Sequence, residues 1–169
     1  MSLIGTLGRR PSHMTESELD IREPLLRQLF AYWTDKRGAR RLPCRKDINP
    51  AEIPRLLPHL MMVDVAETLG EFRYRLFGTS VCQGFGHDRT GVKFAELPNI
   101  ENYDEVYEGY WQTFDEAVPV YFPGRIVSKE MDFISYSRLT LPLSSDDKAV
   151  DQILGGCVFF ETGKRGSWL

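Results

Sequence analysis

Leu60-Met61-Met62-Val63-Asp64-Val65 and, just beyond it, Phe72-Arg73-Tyr74-Arg75-Leu76-Phe77-Gly78-Thr79 decide the fold class. The first stretch is a nearly continuous apolar run of strand length, which suits a buried strand. In the second, Phe72, Tyr74 and Leu76 alternate with Arg73 and Arg75, the two-residue period of a half-buried strand. Thr68-Leu69-Gly70 is a short turn between them, so the two pair as a hairpin that Gly78 closes. Arg73 and Arg75 share the strand face opposite the aromatic residues. Either that face meets solvent, or an arginine enters a polar network, where it needs a carboxylate or an anionic ligand.

Upstream of the hairpin, the spacing of Ile21, Leu25, Leu29 and Tyr32 predicts a helix over 20–37, with Asp20 as N-cap and Pro24 in the first turn. Leu26, Phe30 and Trp33 widen its apolar stripe beyond what one packing face needs, and Gly38 stops it. A basic connector follows, then a helical turn over 50–57. Downstream, Thr79 or Ser80 caps a short helix ending near Phe85, and a second short piece lies over 94–97. A longer helix runs over 103–116, capped by Asn102, with Val106, Tyr107, Tyr110, Trp111 and Phe114 along one face. Strand patterns over 120–128, 133–143 and 150–160 end the chain, with a polar turn at Ser144-Ser145-Asp146-Asp147. Two strand groups flank a helical insert, and each is joined by hairpin-length loops. This is an α+β arrangement with an antiparallel sheet covered on one face.

The 169 residues suffice for one domain, expected over 18–163 with tails at 1–17 and 164–169. Apolar residues make up 42% and charged residues 27%, as in ordinary folded chains. Twenty-one basic against 24 acidic residues leave a net charge of −3, which argues against nucleic-acid binding. No apolar run approaches the ~18 residues of a membrane span. Arg9 and Arg10 follow the apolar residues of the N-terminus, the reverse of a secretory signal. Three widely spaced cysteines, Cys44, Cys82 and Cys157, fit free thiols in a reducing cytoplasm.

Catalytic and cofactor motifs are missing. Gly84-Phe85-Gly86 has Arg89 where a dinucleotide fingerprint needs its third glycine. Cys82 and His87 have no second pair of ligands nearby, so no metal site is expected. His87 beside Asp88 reads as a turn more readily than as an acid–base pair. No serine or cysteine has a nucleophile-elbow context, and no nucleophile, base and orienting group can be named together. An enzyme is therefore the weakest reading. The cluster Arg37, Arg40, Arg41, Arg45 and Lys46 reads first as a solvated connector, and second as a contact for phosphates or an acidic helix.

Several phrases, in order, resemble one family. They are Tyr32-Trp33, Arg41-Leu42-Pro43, Asp47-Ile48-Asn49-Pro50, Ile53-Pro54-Arg55-Leu56-Leu57-Pro58, Val63-Asp64-Val65, Phe72 through Thr79, Phe85-Gly86-His87-Asp88, Thr90-Gly91, Leu141-Pro142-Leu143-Ser144 and Ile153-Leu154-Gly155-Gly156. From about Leu25 to Phe160 the chain is similar to the bacterial single-domain PAS proteins of the fifth PAS group. The resemblance implies a five-stranded antiparallel sheet in the order 2-1-5-4-3. Helices cover one face and leave a small cavity, and the extra N-terminal helix covers the other face or forms a dimer seam.

It also implies a sensory or regulatory module that binds a small organic ligand between the sheet and the long helix. Tyr74, Tyr107, Trp111 and Tyr136 can supply walls with polar tips, and Arg75 can fix an acidic group. The competing reading is a ligand-free interaction module that dimerises through Ile21, Leu25, Leu29 and Tyr32. The long helix carries no histidine, which argues against His-ligated haem. Ser80-Val81-Cys82-Gln83-Gly84 departs from the cysteine phrase of blue-light relatives, which argues against covalent flavin chemistry. No output module fits in the remaining residues, so a signal must pass through a protein partner.

Overall fold

The computed structural model of the protein describes residues 19–66, 71–97, 103–126 and 134–160. Both expected tails, the turn at 68–70, the Asn102 cap and the outer ends of the strands expected over 120–128 and 133–143 lie outside these residues.

Five strands form one antiparallel sheet: β1 (Leu60–Val65), β2 (Phe72–Phe77), β3 (Val120–Ile126), β4 (Ile134–Leu143) and β5 (Gln152–Phe160). Their spatial order is β2-β1-β5-β4-β3, as the resemblance implied. Three α-helices are described: α1 (Pro24–Arg37), α2 (Thr79–Phe85) and α3 (Tyr103–Glu116). No helix among the described residues is long and apolar enough to cross a membrane.

The register sorts side chains by face. Arg138 stands opposite Cys157 and Phe122, Tyr136 opposite Phe159 and Gly124, and Thr140 opposite Gly155 and Val120. Because side chains alternate along a strand, these residues share the face under α2 and α3. Leu139, paired with Gly156 and Tyr121, belongs to the face under α1. Both faces of the central strands are thus covered, and β4 and β5 are buried almost without interruption.

Helix α1 begins at Pro24 rather than near Asp20. A proline ring holds the preceding residue extended, and Glu23 has ψ 126°. Asp20 itself has φ 47° and accepts a hydrogen bond from Arg22 instead of capping the helix. At the other end, Gly38 takes φ 56° and its N–H closes on the carbonyls of Thr34 and Asp35. Leu26, Leu29, Phe30 and Trp33 are buried, and Trp33 Nε1 donates to the carbonyl of Pro142 at 2.9 Å. The wide stripe is therefore covered by the chain's own sheet. Of the residues expected at a dimer seam, Ile21 and Leu29 are core residues of this chain, Leu25 is half-buried against the same core, and Tyr32 donates to Glu52 at 2.9 Å.

The basic connector is tied to its own chain. Asp47 accepts from Arg40 at 2.8 Å and from the Cys44 N–H at 2.7 Å, and Arg41 donates to the Lys148 carbonyl at 2.7 Å. The Cys44 N–H, then burial against it and the Arg40 guanidinium, leave the Asp47 carboxyl below its ordinary pKa. Pro54 interrupts the helical turn expected over 50–57, and two short turns form instead, Pro50–Glu52 and Leu57–His59, with Pro58 inside the second.

Candidate ligand site under the long helix

A β-bulge sets the inner end of β2. Met62 pairs with Leu76 and Val63 with Tyr74, so Arg75 is the extra residue between them. The bulge shifts the alternation by one position. Phe72, Tyr74 and Phe77 then face inward, while Leu76 is 47% exposed. Arg75 points to the exterior and its Nη1 lies 3.3 Å from Asp64. The structure therefore does not bring Arg75 to the aromatic residues. The acidic-group role expected of it has no place to act there.

The inner face instead presents Arg138 of β4. Its side chain is among the most completely buried in the protein, at 1% exposure. Four rings surround its guanidinium carbon: Tyr136 at 5.2 Å, Phe85 at 5.4 Å, Tyr110 at 5.6 Å and Phe122 at 5.7 Å. Nε and Nη1 have no hydrogen-bond partner, and no carboxylate of the described residues forms an ion pair with the group. Arginine stays protonated in proteins, so this is a buried positive charge. Each ring contact contributes about 0.5–2 kcal/mol. Ring faces do not accept the in-plane N–H groups, and each unmet donor costs about 1–3 kcal/mol.

Arg89, in the loop after α2, is a second buried arginine at 5% exposure. Its guanidinium carbon lies 5.0 Å from the same Phe85 ring that faces Arg138. Its Nε donates to Nε2 of the exposed His87 at 3.0 Å. Burial lowers its pKa, and the positive charge of Arg138 acts in the same direction. Two like charges thus share one aromatic wall without a described acidic partner.

Helix α3 closes the site. Val106, Gly109, Tyr110 and Thr113 are its buried residues. Thr113 Oγ1 and Thr140 Oγ1 are 2.7 Å apart, which fastens the helix to β4. A Cβ on Gly109 would stand 2.6 Å from the Phe122 ring, so the helix can lie this close only without one. The Tyr110 hydroxyl is buried without a partner, and burial raises its pKa well above the ordinary tyrosine value. It is a neutral donor, and its polar neighbour Tyr74 raises its pKa further. Beneath the arginine, burial pushes the Cys157 thiol up to about 12, against the opposing pull of the Arg138 charge.

Of the expected wall residues, Tyr74 and Tyr136 are buried in this ring cluster, with Tyr74 4.7 Å from Phe94 and Tyr136 5.7 Å from Phe85. Tyr107 and Trp111 stack on each other at 6.3 Å, half-buried on the outer shoulder of α3. Arg138 and Arg89 were not anticipated. The available signal was a lone charge inside Ile134-Ser135-Tyr136-Ser137-Arg138-Leu139-Thr140-Leu141, a run too long and apolar for an edge strand.

The five-stranded sheet in this order, with helices over a ring-lined inner face, is the architecture that the family resemblance implied. A family model described as PAS domain matches residues 21–158, and the chain belongs to that family of sensory domains. No curated protein gave a significant match. Among solved structures, a variant of RsLOV aligns with TM-score 0.50 at 18% identity, over 69% of this chain and 67% of that one. A sensory box histidine kinase/response regulator from Burkholderia thailandensis aligns with TM-score 0.42 at 10% identity, over 66% and 84%. The PAS domain of Bordetella pertussis BvgS aligns with TM-score 0.40 at 18% identity, over 63% and 82%. At these identities the first likeness speaks to the fold.

Proposed function

We propose that the protein is a sensory domain that binds a small organic molecule between the inner face of its sheet and α3, and that passes its occupancy to a protein partner. The observation that carries this reading is Arg138: a fully buried guanidinium with two unmet donors, ringed by aromatic side chains. A core designed only for packing gains nothing from such a group, because replacing a buried charge by apolar side chains is often stabilising. A molecule seated against it would satisfy the donors and give the charge a purpose. Membership of a sensory family supports the same conclusion.

No group of three or more potential metal ligands occurs among the described residues. Tyr74, Tyr110, Tyr136 and Phe85 supply the apolar surfaces, and Arg138 the polar anchor. The test is to denature freshly purified protein and examine the released small molecules by mass spectrometry. A compound recovered in stoichiometric amount is the expected result. Release of nothing, together with no thermal stabilisation by any compound of a broad metabolite panel, overturns the reading.

A further inference from the structure

We propose that the ligand is a small aromatic carboxylate, its carboxylate accepting hydrogen bonds from Arg138 and the Tyr110 hydroxyl, with Arg89 adding a second positive charge. This inference rests on the ligand-binding reading above and narrows it to one chemical class.

The donors define the charge of a ligand that would meet them. Arg138 Nε and Nη1 and the Tyr110 hydroxyl are buried and unpartnered, and all can donate. A neutral ligand can accept from them but leaves two arginine charges uncompensated. An anion meets both demands.

Among the described residues, the buried Glu23 and the neighbouring Asp88 are engaged elsewhere. Glu23 is buried on the opposite side of the sheet and accepts from Tyr121 at 2.8 Å. Asp88 accepts from the N–H and hydroxyl of Thr90 at 2.8 and 2.7 Å. Neither reaches the two arginines. The rest of the wall is aromatic: Phe94 packs on Tyr74 at 4.7 Å and on Tyr110 at 4.9 Å. Such rings favour a flat apolar body and cannot solvate the remaining oxygens of a phosphate.

Arg89 links the protein surface to the buried charge. Its Nε bonds exposed His87, while its guanidinium lies over Phe85, next to the buried arginine. The loop that holds it leaves α2 at Gly86, with φ 82°, and is fastened to β2 where Gly91 N–H donates to the Tyr74 carbonyl at 2.6 Å. Arg89 thus stands between the exposed His87 and the buried Arg138.

The experiment is thermal unfolding of the full chain with benzoate, phenylacetate and cinnamate, each beside its uncharged amide. At least one carboxylate is expected to raise Tm by several degrees near saturation. Its amide should bind about tenfold or more weakly, the loss of one charged hydrogen bond. Arg138→Met should abolish the shift, Arg89→Gln should weaken it, and Arg138→Lys should keep part of it. Should the methionine variant fail to fold, the glutamine and lysine variants carry the comparison. Equal shifts from acid and amide, or a full shift in Arg89→Gln and Arg138→Lys alike, overturn the carboxylate assignment and leave the ligand-binding reading standing. No shift with any carboxylate also overturns it; only if the denatured protein in addition releases no small molecule does the broader reading fall.

Discussion

Leu29 of α1 reaches to within 2.6 Å of the point where a Cβ on Gly156 would stand, and Leu26 to within 2.8 Å. Both leucines are only 1% exposed, so neither can swing aside into solvent. The contact fixes α1 on the outer face of β5, and with it the separation of the two faces on which the site depends. Gly156→Ala should lower stability by about 1–3 kcal/mol, the usual effect of overpacking. Urea unfolding measures this directly. An unchanged midpoint would mean that α1 does not press on β5.

Arg75→Ala should cost less than about 1 kcal/mol and leave small-molecule binding intact. Its partner Asp64 lies across a partly exposed pair, with side chains 62% and 34% exposed, and such pairs contribute little. Chemical denaturation and a binding titration of the same variant check both halves. Loss of binding with stability retained would restore Arg75 to the site.

Reading of the sheet from sequence succeeded where periodicity and family phrases agreed, and failed where one residue changed the count. β1 and β2 were legible as a hairpin from their patterns. The bulge at Arg75 was not, since nothing in Phe72-Arg73-Tyr74-Arg75-Leu76-Phe77 distinguishes a bulged strand from a regular one. It exchanged Leu76 for Phe77 in the core. Helix α3 is aromatic on several sides, so residue type did not reveal its inward face. The close approach to Phe122 selects the small Gly109 and Thr113, with Tyr110 between them, and leaves Tyr107 and Trp111 at the shoulder. Arg138 was missed because its importance lies in what surrounds it, and its surroundings come from α2, α3, β3 and β4 together.

The Cys157 thiol should be silent in the folded protein. With its pKa pushed up to about 12 by burial, almost no thiolate exists at pH 8, and the side chain is fully covered. Alkylation by iodoacetamide followed by peptide mapping should find label at the half-buried Cys44 and Cys82, and at Cys157 only after unfolding. Early labelling of Cys157 would show that the inner face opens to solvent.

His59 should make stability depend on pH on the acid side of neutrality. Burial lowers its pKa in the folded state below the ordinary 6.5, although a backbone contact with Cys157 acts the other way. The unfolded chain therefore takes up the proton first as pH falls. Its contribution is present above the unfolded pKa and is lost as pH drops from about 6.5 toward the lower folded value. His59→Gln should flatten that part of the stability–pH curve, measured by urea unfolding from neutral pH downward. An identical slope in the variant would remove His59 from the account.

The central claim is that Arg138 exists to hold a small molecule. Native mass spectrometry of the full chain, beside its Arg138→Met variant prepared in the same way, tests it most directly. The account predicts a discrete, stoichiometric adduct on the wild-type chain that is absent from a folded variant of equal or greater intrinsic stability. An unliganded mass for the wild-type chain, with a variant that unfolds more easily, would contradict it and make Arg138 a structural residue satisfied by its rings.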